Sequence, residues 1–368
     1  MPPGDSTRSV ERRVQVATDP PYEVRIGRGV LAGVEAETAR FTRRAILSDE
    51  NVGPLHAEKL ASLGAPMLAV PAGERSKRLA TVERVLEFLA ASGLDRGSCL
   101  VALGGGVVGD LGGLAASLYM RGIACLQAPT TLLAQVDASV GGKTAVDLEA
   151  GKNLAGTFHQ PVAVFADTET LATLPEVEFR SGLGEVVKCA LIEGEEALAA
   201  LERAAPAILA REPEVFDALV ERCVRLKAEV VRRDPREAGD RKVLNLGHTF
   251  AHAIERAAGY GTIPHGMAVG VGIVLALRLA RATGRLEDRE LPGRVERLLA
   301  TLSLPNDLAA LRRAQPGFPG AKAIALAMRH DKKGAAGIPR FVLPRRAGSV
   351  DRDVEVDVAS LDSVLDAT

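Results

Sequence analysis

The chain has no tryptophan, and only 3% of its 368 residues are aromatic. Platforms that stack nucleic-acid bases need aromatic rings, so that class of function is disfavoured. Charge of one sign is not in excess either: 46 Lys and Arg stand against 47 Asp and Glu, a net charge of −1. A protein that neutralises phosphate backbones needs surplus cations, and none are present. Cysteine is scarce, with Cys99, Cys125, Cys189 and Cys223 scattered and never in a CxxC pair. That spacing predicts neither a disulfide framework nor a thiolate zinc site, and it points to a reducing compartment. Gly, Arg or His interrupts every apolar stretch before the ~18 residues of a membrane span. Residues 1–13 mix Pro, Asp, Ser and Arg without the apolar core of a secretory signal. The expectation is a soluble, cytoplasmic protein with no nucleic-acid or membrane partner.

What is present is ordinary packed-protein composition, 47% hydrophobic and 25% charged, with 37 glycines. The length suits two domains. Apolar runs at Arg44–Ser48, Met67–Val70, Cys99–Leu103 and Ile123–Ala128 read as buried strands. Helical periodicity lies between them at Thr81–Ala91 and Leu111–Met120. This alternation predicts an α/β domain with a parallel sheet over residues 1–175, with ligands at the carboxyl ends of its strands. From 176 to 368 the texture becomes helical, at Val177–Leu191, Glu195–Ala210, Pro213–Arg233, Arg241–Ala258 and Gly266–Thr283. Further helices are expected at Glu290–Leu302 and Pro319–Arg329, and a late strand at Pro339–Leu343.

Three clusters could carry chemistry. Gly104-Gly-Gly-Val-Val-Gly-Asp110 joins a strand to a helix. Glycine there lets backbone N–H groups approach a diphosphate at a helix N-terminus. The spacing is not GxGxxG, and a tight strand-to-helix turn with no ligand is the alternative. Pro129 to Asp137 offers Thr130, Thr131 and Asp137 at the next strand end, either for a ribose or phosphate or as a helix cap. Lys143 and Lys152 lie in Gly-rich stretches, as inward cations or as solvated loop lysines.

The third cluster is in the helical half. Glu237, Arg241, Asn245, His248 and His252 are spaced four, four, three and four apart. On a continuous helix from Arg241 onward they share one face, with Glu237 in the preceding turn. Apolar Val243, Leu244, Leu246, Phe250 and Ile254 interleave them, so the face is buried and its charges need partners. His248, His265 and Glu185 make a two-histidine, one-carboxylate set suited to catalytic zinc. Lys188 follows Glu185 by three residues. The alternative is a structural ion-pair network with satisfied core histidines. If Lys143, Lys152, Lys188, Lys227, Arg241 and the Lys332-Lys333 pair converge, the site suits a small substrate bearing a carboxylate and a phosphate.

The ordered set of motifs resembles the 3-dehydroquinate synthase family of the sugar phosphate cyclase superfamily. It runs through Ser48-Asp-Glu-Asn-Val52, Gly73-Glu-Arg-Ser-Lys77, Gly104 to Asp110, Tyr119-Met-Arg-Gly122, Pro129 to Lys143 and Gly151-Lys-Asn153. It continues through Ser181 to Lys188, Leu244 to Glu255, Pro264-His-Gly266 and His330-Asp-Lys-Lys333. Each motif alone is weak; their order along most of the chain is specific.

The resemblance implies a Rossmann-like NAD-binding domain, a helical metal-binding domain, and an active site in the cleft between them. By motif match, the NAD residues would be Asp49, Asn51, Glu74, Lys77, Gly105, Gly106, Val107, Gly109, Asp110, Thr130, Thr131, Lys143, Lys152, Thr170 and Thr173. Glu185, His248 and His265 would hold zinc, or cobalt in its place. Asp137, Asn153, Lys188, Lys227, Glu237, Arg241, Asn245, His252 and Lys333 would serve substrate. Arg121 would reach the substrate phosphate of a neighbouring subunit, which makes a homodimer functional.

The implied substrate is 3-deoxy-D-arabino-heptulosonate 7-phosphate, at the second step of the shikimate pathway. A hydride leaves C5 for NAD, the C6 proton becomes acidic, phosphate is eliminated, and the hydride returns. Ring opening and an intramolecular aldol closure then give the carbocycle, with no net redox change. Three positions depart from the family pattern. Met267 stands where a glutamate usually follows His-Gly, which predicts a missing carboxylate near the metal. His159 and Leu246 replace aromatic rings. Rival readings are a sister cyclase, a polyol dehydrogenase of the same fold, or a non-catalytic nucleotide-binding regulator.

Overall fold

The computed structural model describes residues 10–329 and 340–366. In chain order it begins with β1 (Arg12–Val16), β2 (Tyr22–Gly27), α1 (Val34–Thr38), β3 (Arg44–Asp49), α2 (Gly53–His56), β4 (Met67–Val70) and α3 (Leu79–Ala91). Then come β5 (Cys99–Gly104), α4 (Gly106–Leu118), β6 (Ala124–Pro129), β7 (Lys143–Leu148), β8 (Gly151–Phe158) and β9 (Ala163–Asp167). The helical half holds α5 (Glu176–Glu193), α6 (Glu195–Leu209), α7 (Pro213–Arg233), α8 (His248–Ala258) and α9 (His265–Ala282). It closes with α10 (Leu291–Thr301), α11 (Leu308–Ala314), α12 (Ala321–Arg329), β10 (Phe341–Arg346), β11 (Ser349–Val354) and α13 (Val358–Asp366).

The chain forms two compact units, Met1–Pro175 with Pro213–Arg236, and Glu176–Glu212 with Glu237–Thr368. The first is built on a sheet ordered β1-β2-β9-β6-β5-β3-β4, parallel except for the antiparallel β1 edge. That edge hairpin and β9 escape the sequence reading. Both faces of the sheet are covered, so β5 is buried along its whole length. Cys99, Val101 and Leu103 point into one apolar cluster, and Leu100 and Ala102 into the other, as the two-residue period of a strand requires. The chain steps outward from β3 to β4, then returns to lay β5 on the other side of β3. Ligands of open α/β sheets bind at such a reversal, beyond the strands' carboxyl ends. Asp49 ends β3 and Gly104 ends β5.

Segment 213–236 is expected in the helical domain but packs with the sheet unit. The reason lies in α7's apolar stripe: Phe216, Val220, Cys223, Val224 and Val231 recur at helical spacing and are buried. Thr168 donates a 2.6 Å hydrogen bond to Asp217, and Arg12 pairs with Glu221.

In the second unit α9 is the central helix, with 14 of its residues buried from Gly266 to Ala280. It is long and apolar enough to cross a membrane, contrary to the sequence expectation that no stretch qualifies, but 78% of it is buried inside the protein. The late strand is found as β10, paired with β11.

Candidate active site

Small residues let the helices of the second unit touch backbone to backbone. A Cβ on Gly184 of α5 would lie 2.0 Å from Gly266 O, and one on Gly266 would lie 1.6 Å from Ser181 O. Gly266 N–H also donates to Ser181 Oγ at 3.1 Å. At the start of α8, Gly247 takes φ 80°, and a Cβ on Gly272 of α9 would fall 2.2 Å from its carbonyl. These contacts draw Glu185, His248 and His265 together from three helices. Their candidate ligand atoms all lie within 4.8 Å of one another. Nε2 of His248 and of His265 approach Glu185 Oε1 at 3.5 and 3.4 Å.

Glu185 is fully buried, and Lys188, 1% exposed and one turn on, pairs with it. Burial, reinforced by the Lys188 ammonium against Glu185, pushes the His248 imidazole down to about 3. It is therefore neutral, the form that binds a metal. Burial opposes charge on His265 too, but Glu185 and Glu255 overturn it and raise that group to about 10. His252 completes the group, its ring centroid 5.5 Å from His248 and 6.2 Å from His265. Two imidazoles and a carboxylate, with the His252 ring beside them, are the donor chemistry of a borderline-soft divalent ion.

The single helix expected from Arg241 to Ala258 is not formed. Asp240–Asn245 is a 3-10 turn, Leu246 is non-helical, and the left-handed Gly247 starts a new helix at His248. Arg241 and Asn245 therefore do not share a helical face with His248 and His252. Arg241 is nonetheless buried, 2% exposed. Asn245 Nδ2 donates to Glu237 Oε1 at 2.8 Å, and Glu237 has a left-handed φ of 59°.

In the first unit the glycine cluster is the N-terminus of α4, with Gly105 as its cap in extended conformation. The helix starts at Gly106, five residues earlier than the periodicity suggests. The glycines answer to space rather than to positive φ. A Cβ on Gly105 would meet Thr131 at 2.9 Å, and one on Gly109 would meet Gln127 at 2.8 Å. Val107 packs on the apolar cluster beneath. Thr131 Oγ1 accepts from Ala134 N–H at 3.2 Å, so the capping alternative holds for that residue. Thr130, 3% exposed, keeps its hydroxyl buried without a hydrogen-bond partner among the described residues. An open helix N-terminus beside a spare hydroxyl fits a dinucleotide's phosphates and sugar.

Around this turn, Lys77 pairs with Asp110 at 2.6 Å and contacts Asn153 Oδ1, while Lys152 pairs with Glu74 at 3.3 Å. Burial alone would depress the Lys77 ammonium; the Asp110 and Glu74 carboxylates outweigh it and hold the group above its ordinary range. Asp147, which sequence reasoning missed, accepts from Asn153 N–H at 2.8 Å and donates its own N–H to Lys77 O at 2.8 Å. Lys227 pairs with Asp137 Oδ1 at 2.7 Å.

Lys143 and Lys152 lie on strands β7 and β8 rather than in loops, and Lys143 is exposed. Asp49 Oδ1 accepts from the N–H groups of Asn51 and Val52 at 2.9 and 2.8 Å. Thr170 donates to Asp167 O at 2.7 Å, and Thr173 meets His56 Nε2 at 2.9 Å. Lys332 and Lys333 lie outside the described residues.

A glycine turn at a sheet reversal and a mononuclear donor set in a helical unit define a class of nucleotide- and metal-dependent α/β-plus-helical enzymes. Two solved structures have this architecture. A 2-deoxy-scyllo-inosose synthase complexed with carbaglucose-6-phosphate, NAD+ and Co2+ is 28% identical, with a TM-score of 0.85, covering 97% of this chain and 99% of that one. The 2-epi-5-epi-valiolone synthase of Streptomyces hygroscopicus subsp. jinggangensis, with NAD+ and Zn2+ bound, is 29% identical, with a TM-score of 0.83 and the same coverage. Nearer in sequence is the 3-dehydroquinate synthase of Acidithiobacillus ferrooxidans, 43% identical over 354 residues, which are 94% of this chain and 95% of that protein. Models of the 3-dehydroquinate synthase N-terminal and C-terminal regions match residues 67–181 and 182–334. The chain belongs to the 3-dehydroquinate synthase family.

Proposed function

We propose that the protein is a 3-dehydroquinate synthase, a carbon-ring-forming phosphate lyase of the shikimate pathway. It converts 3-deoxy-D-arabino-heptulosonate 7-phosphate to 3-dehydroquinate and inorganic phosphate without net oxidation. The observation that carries this reading is the Glu185, His248 and His265 donor set beside Lys188 and His252, in a chain whose family match spans residues 67–334. When bound, NAD supplies a reversible two-electron acceptor for a secondary alcohol, and zinc or cobalt supplies a Lewis acid for vicinal oxygens.

The residues proposed for NAD are Asp49, Asn51, Glu74, Lys77, Gly105 to Val107, Gly109, Asp110, Thr130, Thr131, Lys143, Lys152, Thr170 and Thr173. Glu185, His248 and His265 are proposed as metal ligands. Lys188, paired with Glu185, stabilises negative charge developing on a substrate oxygen. Lys227, Arg241 and Asn153 bind the substrate's anionic groups, and Arg241's rigid fork suits a carboxylate. His252 moves protons, and Asp137, Glu237, Asn245 and Lys333 complete the substrate shell. Holding both ends of one substrate turns several steps into one positioned sequence.

A second copy of the chain is part of the proposal. Met120 and Arg121 are consecutive non-glycine residues at φ 48° and 69°, strained geometry that presents Arg121 at the surface. Leu118, Met120, Leu154 and Phe158 are exposed, and the Thr157–Ser117 hydrogen bond (2.9 Å) ties β8 to the end of α4. A homodimer covers this patch and delivers Arg121 to the neighbouring site. Four free, buried thiols agree with a reducing cytoplasm.

The test is turnover of 3-deoxy-D-arabino-heptulosonate 7-phosphate by the purified protein with NAD and zinc. Phosphate release without NADH accumulation, abolished by chelator, is expected. Silence with that substrate but turnover of glucose 6-phosphate or sedoheptulose 7-phosphate would move the protein to a sister cyclase. Steady NADH production from a simple polyol would make it a dehydrogenase.

A further inference from the structure

Each histidine of the donor set turns Nε2 toward Glu185, so the partner of Nδ1 decides its tautomer. For His248, Nδ1 lies 3.2 Å from the carbonyl oxygen of Leu246, a neutral acceptor. For His265, Nδ1 lies 3.4 Å from Oε2 of Glu255. Glu255 stands on α8 at the i+7 position from His248 and the i+3 position from His252, on the same helical face. It is only 1% exposed. A carboxylate so deeply buried is costly unless a specific partner answers it.

We propose that Glu255 is the positioning residue for His265: its carboxylate accepts a hydrogen bond from Nδ1–H and holds the ring with the Nε2 lone pair facing Glu185 and His248. The inference rests on the metal-site reading above. Met267 leads the sequence to predict a missing carboxylate near the metal; Glu255 supplies one from a different helix. An anionic acceptor also makes His265 a more basic ligand than the carbonyl-held His248, and such outer partners typically set metal affinity within a 10–100-fold range.

The experiment measures zinc affinity of the full-length protein by competition with a chromophoric chelator. Glu255→Gln keeps an acceptor for Nδ1 but loses the charge, and should bind zinc about 10-fold more weakly. Glu255→Leu loses both, and should bind about 100-fold more weakly. The visible spectrum of the cobalt-loaded Gln variant should shift, a change that a merely structural residue would not produce. If the Leu variant does not fold, nitrogen-15 spectra of histidine-labelled wild type loaded with zinc still decide the matter. Protonated Nδ1 and metal-bound Nε2 on His265 are expected; the reverse tautomer overturns the proposal. Unchanged zinc affinity and cobalt spectrum in folded Glu255 variants also overturn it, provided that Glu185→Gln and His265→Ala lose zinc. If those two retain it, the metal-site reading itself has failed.

Discussion

Gly184 and Gly266 face each other across α5 and α9 so closely that a Cβ on Gly184 would lie 2.0 Å from Gly266 O. On the opposite side, Gly266 has room for hydrogen only, with Ser181 O at 1.6 Å from a would-be Cβ. The obstacles are main-chain atoms that cannot rotate away, so α5 and α9 must separate to admit a methyl group. Gly266→Ala should destabilise the protein by at least the ~1–3 kcal/mol typical of overpacking. It should also weaken zinc binding, because the same separation draws Glu185 away from His265. Urea melts and zinc titrations check both; a variant as stable and as tightly metallated as wild type would refute the argument.

The two histidines proposed as ligands titrate in opposite directions in the metal-free protein. His265 is raised from 6.5 to about 10, so its stabilising contribution is complete below pH 6.5 and is lost as pH climbs through 10. His248 is lowered from 6.5 to about 3, so its neutral form favours the fold above pH 6.5, and this contribution shrinks as pH falls toward 3. A metal needs both rings unprotonated at Nε2, and at pH 7 only His265 has a proton to give up. Zinc binding should therefore release about one proton and tighten about tenfold per pH unit between 7 and 9. Calorimetry in buffers of different ionisation enthalpy measures the release. An affinity independent of pH over that range would contradict the assignment.

Lys77 is 5% exposed and is held by Asp110, with Glu74 nearby. Asp110→Asn leaves that ammonium short of charge compensation while preserving the side chain's shape. Because Glu74 still faces it, the expected loss is toward the low end of the ~3–5 kcal/mol seen when a buried pair is broken. The same change should weaken NAD binding by disordering the cationic arm beside the α4 turn. Denaturant unfolding and NAD calorimetry should move together, and Lys77→Met should lose NAD with a smaller stability cost. NAD affinity preserved in both variants would remove the pair from the cofactor site.

Much of the fold is legible because its periodicities are strong. β5 alternates between two buried faces, and α7 carries an apolar stripe along its length. The site is legible only in part. Arg241 to His252 read as one helix because side-chain spacing says nothing about the left-handed turn at Gly247 that divides them. Lys143 and Lys152 sit among glycines and read as loop residues, although both belong to a hairpin. Gly184 and Gly266 read simply as members of two helices, and helical periodicity does not show that they are points of close helix contact that assemble the donor set. Glu255 is hidden for a simpler reason. An acidic residue on an amphipathic helix reads as solvated until its burial and its distance to His265 are known.

Arg121 and Phe158 permit the proposed assembly to be tested apart from the proposed chemistry. Phe158 and Leu154 are 49% and 53% exposed, two alternate steps apart on one face of β8. Replacing both with Asp should leave the fold intact, because neither side chain is buried in the single chain, and should yield monomers by light scattering. Arg121→Ala should remain dimeric and lose turnover if, as proposed, its guanidinium serves the other subunit's phosphate. The decisive experiment mixes Arg121→Ala with Lys188→Ala chains, each inactive alone. In a mixed dimer, one site takes Lys188 from the Arg121→Ala chain and Arg121 from the Lys188→Ala chain, so activity should reappear on mixing. A mixture that exchanges subunits yet stays inactive would confine Arg121 to its own chain's site or to none.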